Sequence, residues 1–340
     1  MSIRYVPENI STYNTDHHCG STFQNNAGEP SVVQSRRVGP MMMFKFIGAE
    51  RDYDSPIPLR MCKNDFSSDE NVRAWWIGHS TILLKFGEKY ALTDPIFADY
   101  ASPVPFVVRR KTPPGCLIED LPQISYVFVS HDHWDHLCSS SIEAIKRHSP
   151  SAIFFAPLVT ASLINSWVGN TVAFDWRQTL KIDQLHITAF PARHACNRYG
   201  VDFRERLWCS FLFQYQEKSV FFPGDTGIGP HFAEVREYNG RPIDLALMPI
   251  GPQEPTDIMR AVHLNPDDAI DMSEVLEARV TIPIHWGTFG LGMKPAVDDI
   301  TLFKRNWRGG KLIVLKAGGY LEWNGEEFQS NDESICPETW

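Results

Sequence analysis

Ser130-His131-Asp132-His133-Trp134-Asp135-His136-Leu137 is the stretch on which the reading of this chain turns. It follows the apolar run Ser125–Val129, which reads as a strand. It precedes a helix expected over Ser140–His148, where Ser140 and Glu143 have capping-box spacing. Three imidazoles and two carboxylates crowd into six residues, and they cannot all be buried without partners. A metal resolves the conflict, because neutral imidazole and carboxylate both bind zinc at about 2.0–2.2 Å. His131 and His133 alternate and can face one side, whereas Asp135 and His136 follow a turn and can reach a second position. One segment thus offers four ligands split two and two, as a dinuclear site requires.

Three downstream positions extend the pattern. His194 follows the strand ending at Phe190, Asp225 lies in Gly224-Asp225-Thr226-Gly227 just after Phe222, and His285 directly follows Ile284. Each is unremarkable alone, since Gly-Asp-Thr-Gly is commonly a turn. All three fall at the C-terminal ends of expected strands, on the same edge as the first motif.

The rest of the chain mixes meanders with strand–helix alternation. Arg73–Ile77, Thr81–Phe86 and Tyr90–Thr93 read as a β-meander, followed by a long loop, Ala98–Cys116. Helices are expected near Leu158–Trp167, His231–Tyr238, Asp267–Glu277 and Val297–Trp307, the third with Asn265 as N-cap and Pro266 in its first turn. Lys311–Leu315 and Tyr320–Trp323 read as a closing pair of strands. This pattern predicts a layered α/β domain with mixed sheets over residues 73–325. Residues 1–72 read as a loose polar arm with an apolar patch at Pro40–Ile47, and residues 326–340 as a loose acidic tail.

Composition sets the outer bounds. Of 340 residues, 43% are hydrophobic and 21% charged, an ordinary globular balance. The net charge of -9 argues against a nucleic-acid partner. Seven scattered cysteines without a CxxC suggest a reducing, cytoplasmic setting. No stretch approaches the length of a membrane-spanning helix.

The series HxHxDH at His131–His136, a lone His, Gly-Asp-Thr-Gly and a final His resembles the metallo-β-lactamase-fold hydrolases. That resemblance implies an αββα sandwich, two mixed β-sheets flanked by helices, and two zinc ions, with iron or manganese as alternatives. On it, His131, His133 and His194 bind one ion, Asp135, His136 and His285 bind the other, and Asp225 bridges them. The stretches Trp76-Ile77-Gly78-His79-Ser80-Thr81, Leu92-Thr93-Asp94-Pro95-Ile96-Phe97, Pro249-Ile250-Gly251 and Ile284-His285-Trp286-Gly287-Thr288-Phe289 are similar to the N-acylphosphatidylethanolamine-hydrolysing phospholipase D group. This implies hydrolysis of a lipid or lipid-like phosphodiester by a hydroxide held between the ions. Asp135 and His263 are then the catalytic candidates, His263 as a proton or hydrogen-bond donor.

Asp94 is expected to orient a metal-binding histidine, and His79 to act structurally beside it. Trp134, Arg109, Arg110 and Gln253 are candidates for substrate contact, although Trp134 can equally pack and Arg109-Arg110-Lys111 can be a solvated charge run. The implied partners are a small-molecule or lipid substrate, peripheral contact with an intracellular membrane, and a second copy in a homodimer. Two other functions stay open on the same scaffold: a lactonase or amide or ester hydrolase, and a metal-binding protein without hydrolytic activity.

Overall fold

The computed structural model describes residues 15–26, 57–62, 66, 72–104, 107–292, 295–331 and 333–336. The Pro40–Ile47 patch lies outside the described residues. Seventeen strands are present: β1 (His18–Cys19), β2 (Thr22–Phe23), β3 (Val72–Gly78), β4 (Thr81–Phe86), β5 (Lys89–Thr93), β6 (Tyr126–Phe128), β7 (Ile153–Pro157), β8 (Thr171–Phe174), β9 (Thr179–Ile182), β10 (Leu185–Phe190), β11 (Ser210–Tyr215), β12 (Lys218–Phe222), β13 (Leu245–Pro249), β14 (Val280–Ile284), β15 (Lys311–Leu312), β16 (Tyr320–Trp323) and β17 (Phe328–Gln329). The α-helices are α1 (Ser139–His148), α2 (Thr160–Val168), α3 (His231–Asn239), α4 (Thr256–Met259), α5 (Pro266–Val275) and α6 (Ala296–Asn306).

Two large mixed sheets form the frame, an eight-stranded sheet ordered β17-β16-β3-β4-β5-β6-β7-β8 and a seven-stranded sheet ordered β15-β14-β13-β12-β11-β10-β9. Each begins as an antiparallel meander and continues as parallel strands. In the first sheet β5 to β8 run parallel, and in the second β12 to β15 do. Parallel neighbours need crossover connections, which explains why the helices fall after β6, β7, β12, β13 and β14.

Strand alternation shows the layering directly. Along β3 and β4, Ala74, Trp76, Ile82 and Leu84 enter the core shared with the other sheet, while Trp75, Ile77 and Leu83 enter a second core beneath α1 and α2. A sheet buried on both faces reads as a continuous apolar run, which is why VRAWWIG shows no polar alternation. Between the sheets, Phe128 packs edge-on against Phe213 at 4.8 Å and stacks on Phe155 at 4.8 Å. Each such ring contributes about 1.5–3 kcal/mol by burial.

Several expectations are corrected. Helix α1 starts one residue early with Cys138 as N-cap and no side-chain cap, so the Ser140/Glu143 box does not form. Ser140 then sits inside the first turn, its hydroxyl 3.1 Å from Cys138 Sγ. Asn265 does cap α5, accepting from the Asp268 N–H at 2.8 Å. Lys311–Leu312 and Tyr320–Trp323 do not pair with each other. The first extends the seven-stranded sheet and the second the eight-stranded one. The chain crosses between sheets at Gly318, whose φ is +83° and where an added Cβ would collide with the Arg60 carbonyl oxygen, so no side chain fits.

The tail is not loose over its described part: β17 pairs with β16, and Phe328, Ser334 and Cys336 are buried. Nor is the arm loose throughout. The hairpin β1–β2 packs on the domain, with Phe23 in the core between the sheets.

Candidate metal centre

The site forms where the C-terminal ends of strands from both sheets meet. The eight-stranded sheet delivers His79 after β3, Asp94 after β5 and the His131–His136 loop after β6. The seven-stranded sheet delivers His194 after β10, Asp225 after β12, His263 in the segment beyond β13, and His285 after β14. Two groups of potential ligands result, each with its ligating atoms within 4.8 Å of one another. One is His131, His133, His194 and Asp225; the other is His79, Asp135, His136 and His285.

Asp225 faces both groups. Its Oδ2 lies 3.8 Å from His131 Nε2 and 3.2 Å from His136 Nε2, and its Oδ1 lies 3.1 Å from His285 Nε2. Gly224 makes this approach feasible, since its φ is +61° and a Cβ there would stand 2.5 Å from the Ser130 side chain.

Hydrogen bonds on the far side of the rings decide which nitrogen points inward. Asp94 Oδ1 accepts the Ser130 N–H at 2.6 Å, and its Oδ2 accepts the Ser130 hydroxyl at 2.5 Å. With its proton committed to Asp94, the Ser130 oxygen accepts from His131 Nδ1–H at 2.9 Å. His136 donates Nδ1–H to Asp94 at 2.7 Å, and His194 donates Nδ1–H to the Val262 carbonyl at 3.0 Å. In their neutral forms all three rings therefore turn an unprotonated Nε2 toward the centre, the tautomer a metal requires. His131 Nε2 and His194 Nε2 converge on His133 Nδ1 at 3.0 and 3.1 Å. Asp225 Oδ1 is buried and makes no hydrogen bond despite its 3.1 Å neighbour. Lone pairs that converge without a proton between them fit divalent metal, and the residues present suit that role.

Charge distribution supports the same fit. Burial opposes ionisation of Asp225 and Asp135, but the surrounding imidazoles, His136 foremost, hold both well below the usual carboxylate range. Burial also disfavours a charged His285, yet Asp225 and Asp135 raise it from 6.5 to about 9. His136 is driven well above 6.5 by the same carboxylates.

Both shifts favour the protonated ring in the metal-free chain, so metal uptake competes with protons there. Zinc titration of metal-free protein in two buffers of different ionisation heat should show proton release at pH 7 that fades above pH 9. Buffer-independent heats would overturn this charge assignment. By linkage, the raised His285 value stabilises the metal-free chain fully below pH 6.5, and that contribution is lost as pH climbs through 9.

The remaining expected residues divide. His79 donates Nε2–H to Asp135 Oδ2 at 3.0 Å, and burial lowers it to about 3, so the ring is neutral. The same nitrogen lies within ligand reach of the second group, which sequence reasoning did not foresee. His79, Asp94 and His285 all have positive φ, of 54°, 33° and 60°. Such backbone costs about 1–3 kcal/mol per residue and persists only where braced. Here the His79 N–H donates to Thr288 Oγ1 at 2.7 Å, and the His285 N–H to the His79 carbonyl at 3.1 Å. His263 lies at the edge, its Nδ1 3.5 Å from Asp225 Oδ2, and burial lowers it to about 4.

Trp134 packs rather than standing free. Its Nε1–H donates to the Arg198 carbonyl at 2.8 Å, and the Arg198 guanidinium covers the ring at 3.7 Å. Arg110 is spent on backbone, donating to the carbonyls of Ile96, Ala98 and Thr112. Gln253 donates to Asp299. Neither matches the expected substrate contact, because loop closure consumes their donors. Arg109 is exposed, and its backbone bridges to Tyr100.

Sequence reasoning missed what holds the motif loop. Asp132, buried within the motif, takes Arg206 at 3.1 Å, and Arg198 donates to the Asp132 and Leu137 carbonyls. Asn25, from the N-terminal hairpin, accepts the His194 N–H at 3.2 Å. The unassigned carboxylate inside a ligand motif was a usable signal for Asp132; nothing in the sequence marked Asn25.

Among the described residues no helix is long and apolar enough to cross a membrane. Residues 90–286 match the family model described as a beta-lactamase superfamily domain. The chain is 35% identical over 294 residues to "N-acyl-phosphatidylethanolamine-hydrolyzing phospholipase D 1" of Caenorhabditis elegans, covering 80% of each protein. It is 32% identical over 270 residues to the mitochondrial N-acyl-phosphatidylethanolamine-hydrolyzing phospholipase D of Saccharomyces cerevisiae, covering 77% of this chain and 54% of that protein. Among solved structures, Igni18, a metallo hydrolase from the archaeon Ignicoccus hospitalis, shares the fold with a TM-score of 0.54 at 20% identity, covering 75% of this chain and 99% of that one. The two sheets, the paired ligand groups and these similarities place the chain in the metallo-β-lactamase superfamily, as a metallo-hydrolase of the N-acyl-phosphatidylethanolamine-hydrolysing phospholipase D family.

Proposed function

We propose that this chain is a dinuclear zinc phosphodiesterase of the phospholipase D type, acting on a lipid or lipid-like substrate. The observation that carries the reading is Asp225 facing two complete ligand groups at once. The names of its relatives supply the substrate class. Two bound ions supply a water activated near neutral pH and positive charge for the oxygens of an in-line displacement. The protein's own part is to hold that arrangement: Asp94, Ser130 and the Val262 carbonyl fix the rings, and Asp135 and Asp225 hold the charge. His263, neutral at the edge of the cluster, is placed to hydrogen-bond the developing charge or to pass a proton to the leaving group. A lipid substrate also calls for peripheral contact with an intracellular membrane from the cytoplasmic side, and the homodimer expected from the family belongs to the same proposal.

A second reading, hydrolysis of a lactone, amide or ester, is favoured by one observation. Arg110, the expected phosphate-holding cation, is occupied by three backbone carbonyls. The zinc-loaded chain should be offered an N-acylated phosphatidylethanolamine, a generic phosphodiester and a lactone, with metal content measured in parallel. Preferential cleavage of the phospholipid, with a phosphatidic acid product, is the expected result. Cleavage of the lactone alone would replace the first reading by the second. His263→Ala should lower turnover about 10²-fold while leaving bound metal unchanged. Loss of metal from that variant would make His263 a ligand instead.

A further inference from the structure

The metal centre is not the sole place where imidazoles and a carboxylate converge. His17 Nε2 lies 2.6 Å from Asp175 Oδ1, and His18 Nε2 lies 3.3 Å from Asp175 Oδ2. All three side chains are withdrawn from water, and their ligating atoms lie within 4.8 Å of one another. Consecutive residues of an extended chain point to opposite faces. Here the turn at Asp16–His17 breaks that alternation just before β1, so both rings reach one carboxylate from 157 and 158 residues away in sequence.

We infer that His17, His18 and Asp175 form a third, structural divalent-cation site that clamps the N-terminal hairpin to the domain. Two imidazoles and one carboxylate are a zinc-type donor set, with the fourth tetrahedral position left to water. The hairpin needs such a clamp. Its strands are two residues each, and an isolated two-stranded ribbon of this size is not stable in water. Short scaffolds commonly gain the missing stability from a disulfide or a metal, and all seven cysteines of this chain are free thiols. The surroundings also suit a fixed site. His17 stacks on Trp176 at 4.3 Å, and the Trp176 N–H holds Asp175 Oδ1 at 2.8 Å.

The clamp has a route to the metal centre. Gln24 N–H donates to the His17 carbonyl at 2.9 Å, and the adjacent Asn25 accepts the N–H of His194. Holding the hairpin in place therefore braces the backbone that carries a ligand of the first group. The site itself is separate in sequence and uses none of the catalytic candidates, so it stands or falls independently of the phosphodiesterase reading.

The test is zinc counting and location on the full chain. Zinc-loaded, desalted wild type should hold about one equivalent more than His18→Gln and more than Asp175→Asn. Anomalous diffraction at the zinc edge from wild-type crystals should show a peak between His17, His18 and Asp175, apart from those at the metal centre. Equal zinc content in wild type and both variants, or no anomalous peak at the three side chains, would overturn the inference. In that case the histidines are hydrogen-bond donors to Asp175 alone. The anomalous measurement needs no variant, so misfolding of a substituted chain cannot blur the outcome.

Discussion

Asp225→Asn should remove metal from both halves of the centre at once and reduce hydrolysis by on the order of 10³-fold or more. The reason is position. Asp225 faces both ligand groups, with His136 and His285 on one side and His131 on the other. Asparagine keeps the volume and one oxygen but loses the charge that would offset the two proposed cations. His285→Ala is the informative partner, because His285 belongs to the second group only. It should lose about half as much metal as Asp225→Asn while also failing to turn over. Elemental analysis of the two variants, purified identically and compared with wild type, checks the difference. Full metal occupancy and wild-type turnover in Asp225→Asn would remove Asp225 from its shared role. Equal metal losses in the two variants would show that the halves fill cooperatively rather than separately.

Asp94→Ala should be the most destabilising single change near the site. Asp94 is fully buried and accepts three hydrogen bonds, from the Ser130 N–H, the Ser130 hydroxyl and His136 Nδ1–H. Burial pushes its carboxyl upward, and His136 and Ser130 oppose that by favouring the ionised form. Alanine strands those donors in a dry environment at about 1–3 kcal/mol for each unpaired group, for a total of roughly 3–5 kcal/mol. Asp94→Asn separates folding from function. It retains an oxygen for the Ser130 N–H but presents an amide where His136 and Ser130 both donate. The variant should fold, and its zinc affinity should fall about 10–100-fold because His136 no longer holds the required tautomer. Urea unfolding of the metal-free chain measures the first effect, and zinc titration of the asparagine variant measures the second. Wild-type zinc affinity in Asp94→Asn would show that the carboxylate does not orient His136.

Residues chosen from sequence for chemical density came together, whereas residues chosen for charge alone did not. His131 to His136, His194, Asp225 and His285 were legible because ligands at strand ends have few other uses, and a strand end is visible as the point where an apolar run stops. Arg110 and Gln253 went elsewhere because a long side chain can reach many acceptors, and closing the Ala98–Cys116 loop and the segment after β13 left backbone and carboxylate oxygens nearer than any substrate. Trp134 followed the same logic, drawn under Arg198, which with Arg206 serves the motif loop.

From the sequence alone came the layered α/β class, the order of most strands and helices, and the candidate ligands that the fold brings together, because hydrophobic periodicity and ligand spacing are local properties of the chain. The tertiary structure alone decided which ring nitrogen faces inward and brought His79 against Asp135 of the second group. It also placed Asn25, His17 and His18 against a domain whose first strand begins fifty residues later. Those outcomes depend on two sheets meeting at one edge and on hydrogen bonds between residues more than a hundred positions apart. No local pattern records such pairings, because only the folded chain brings their atoms to 2.6 and 3.1 Å.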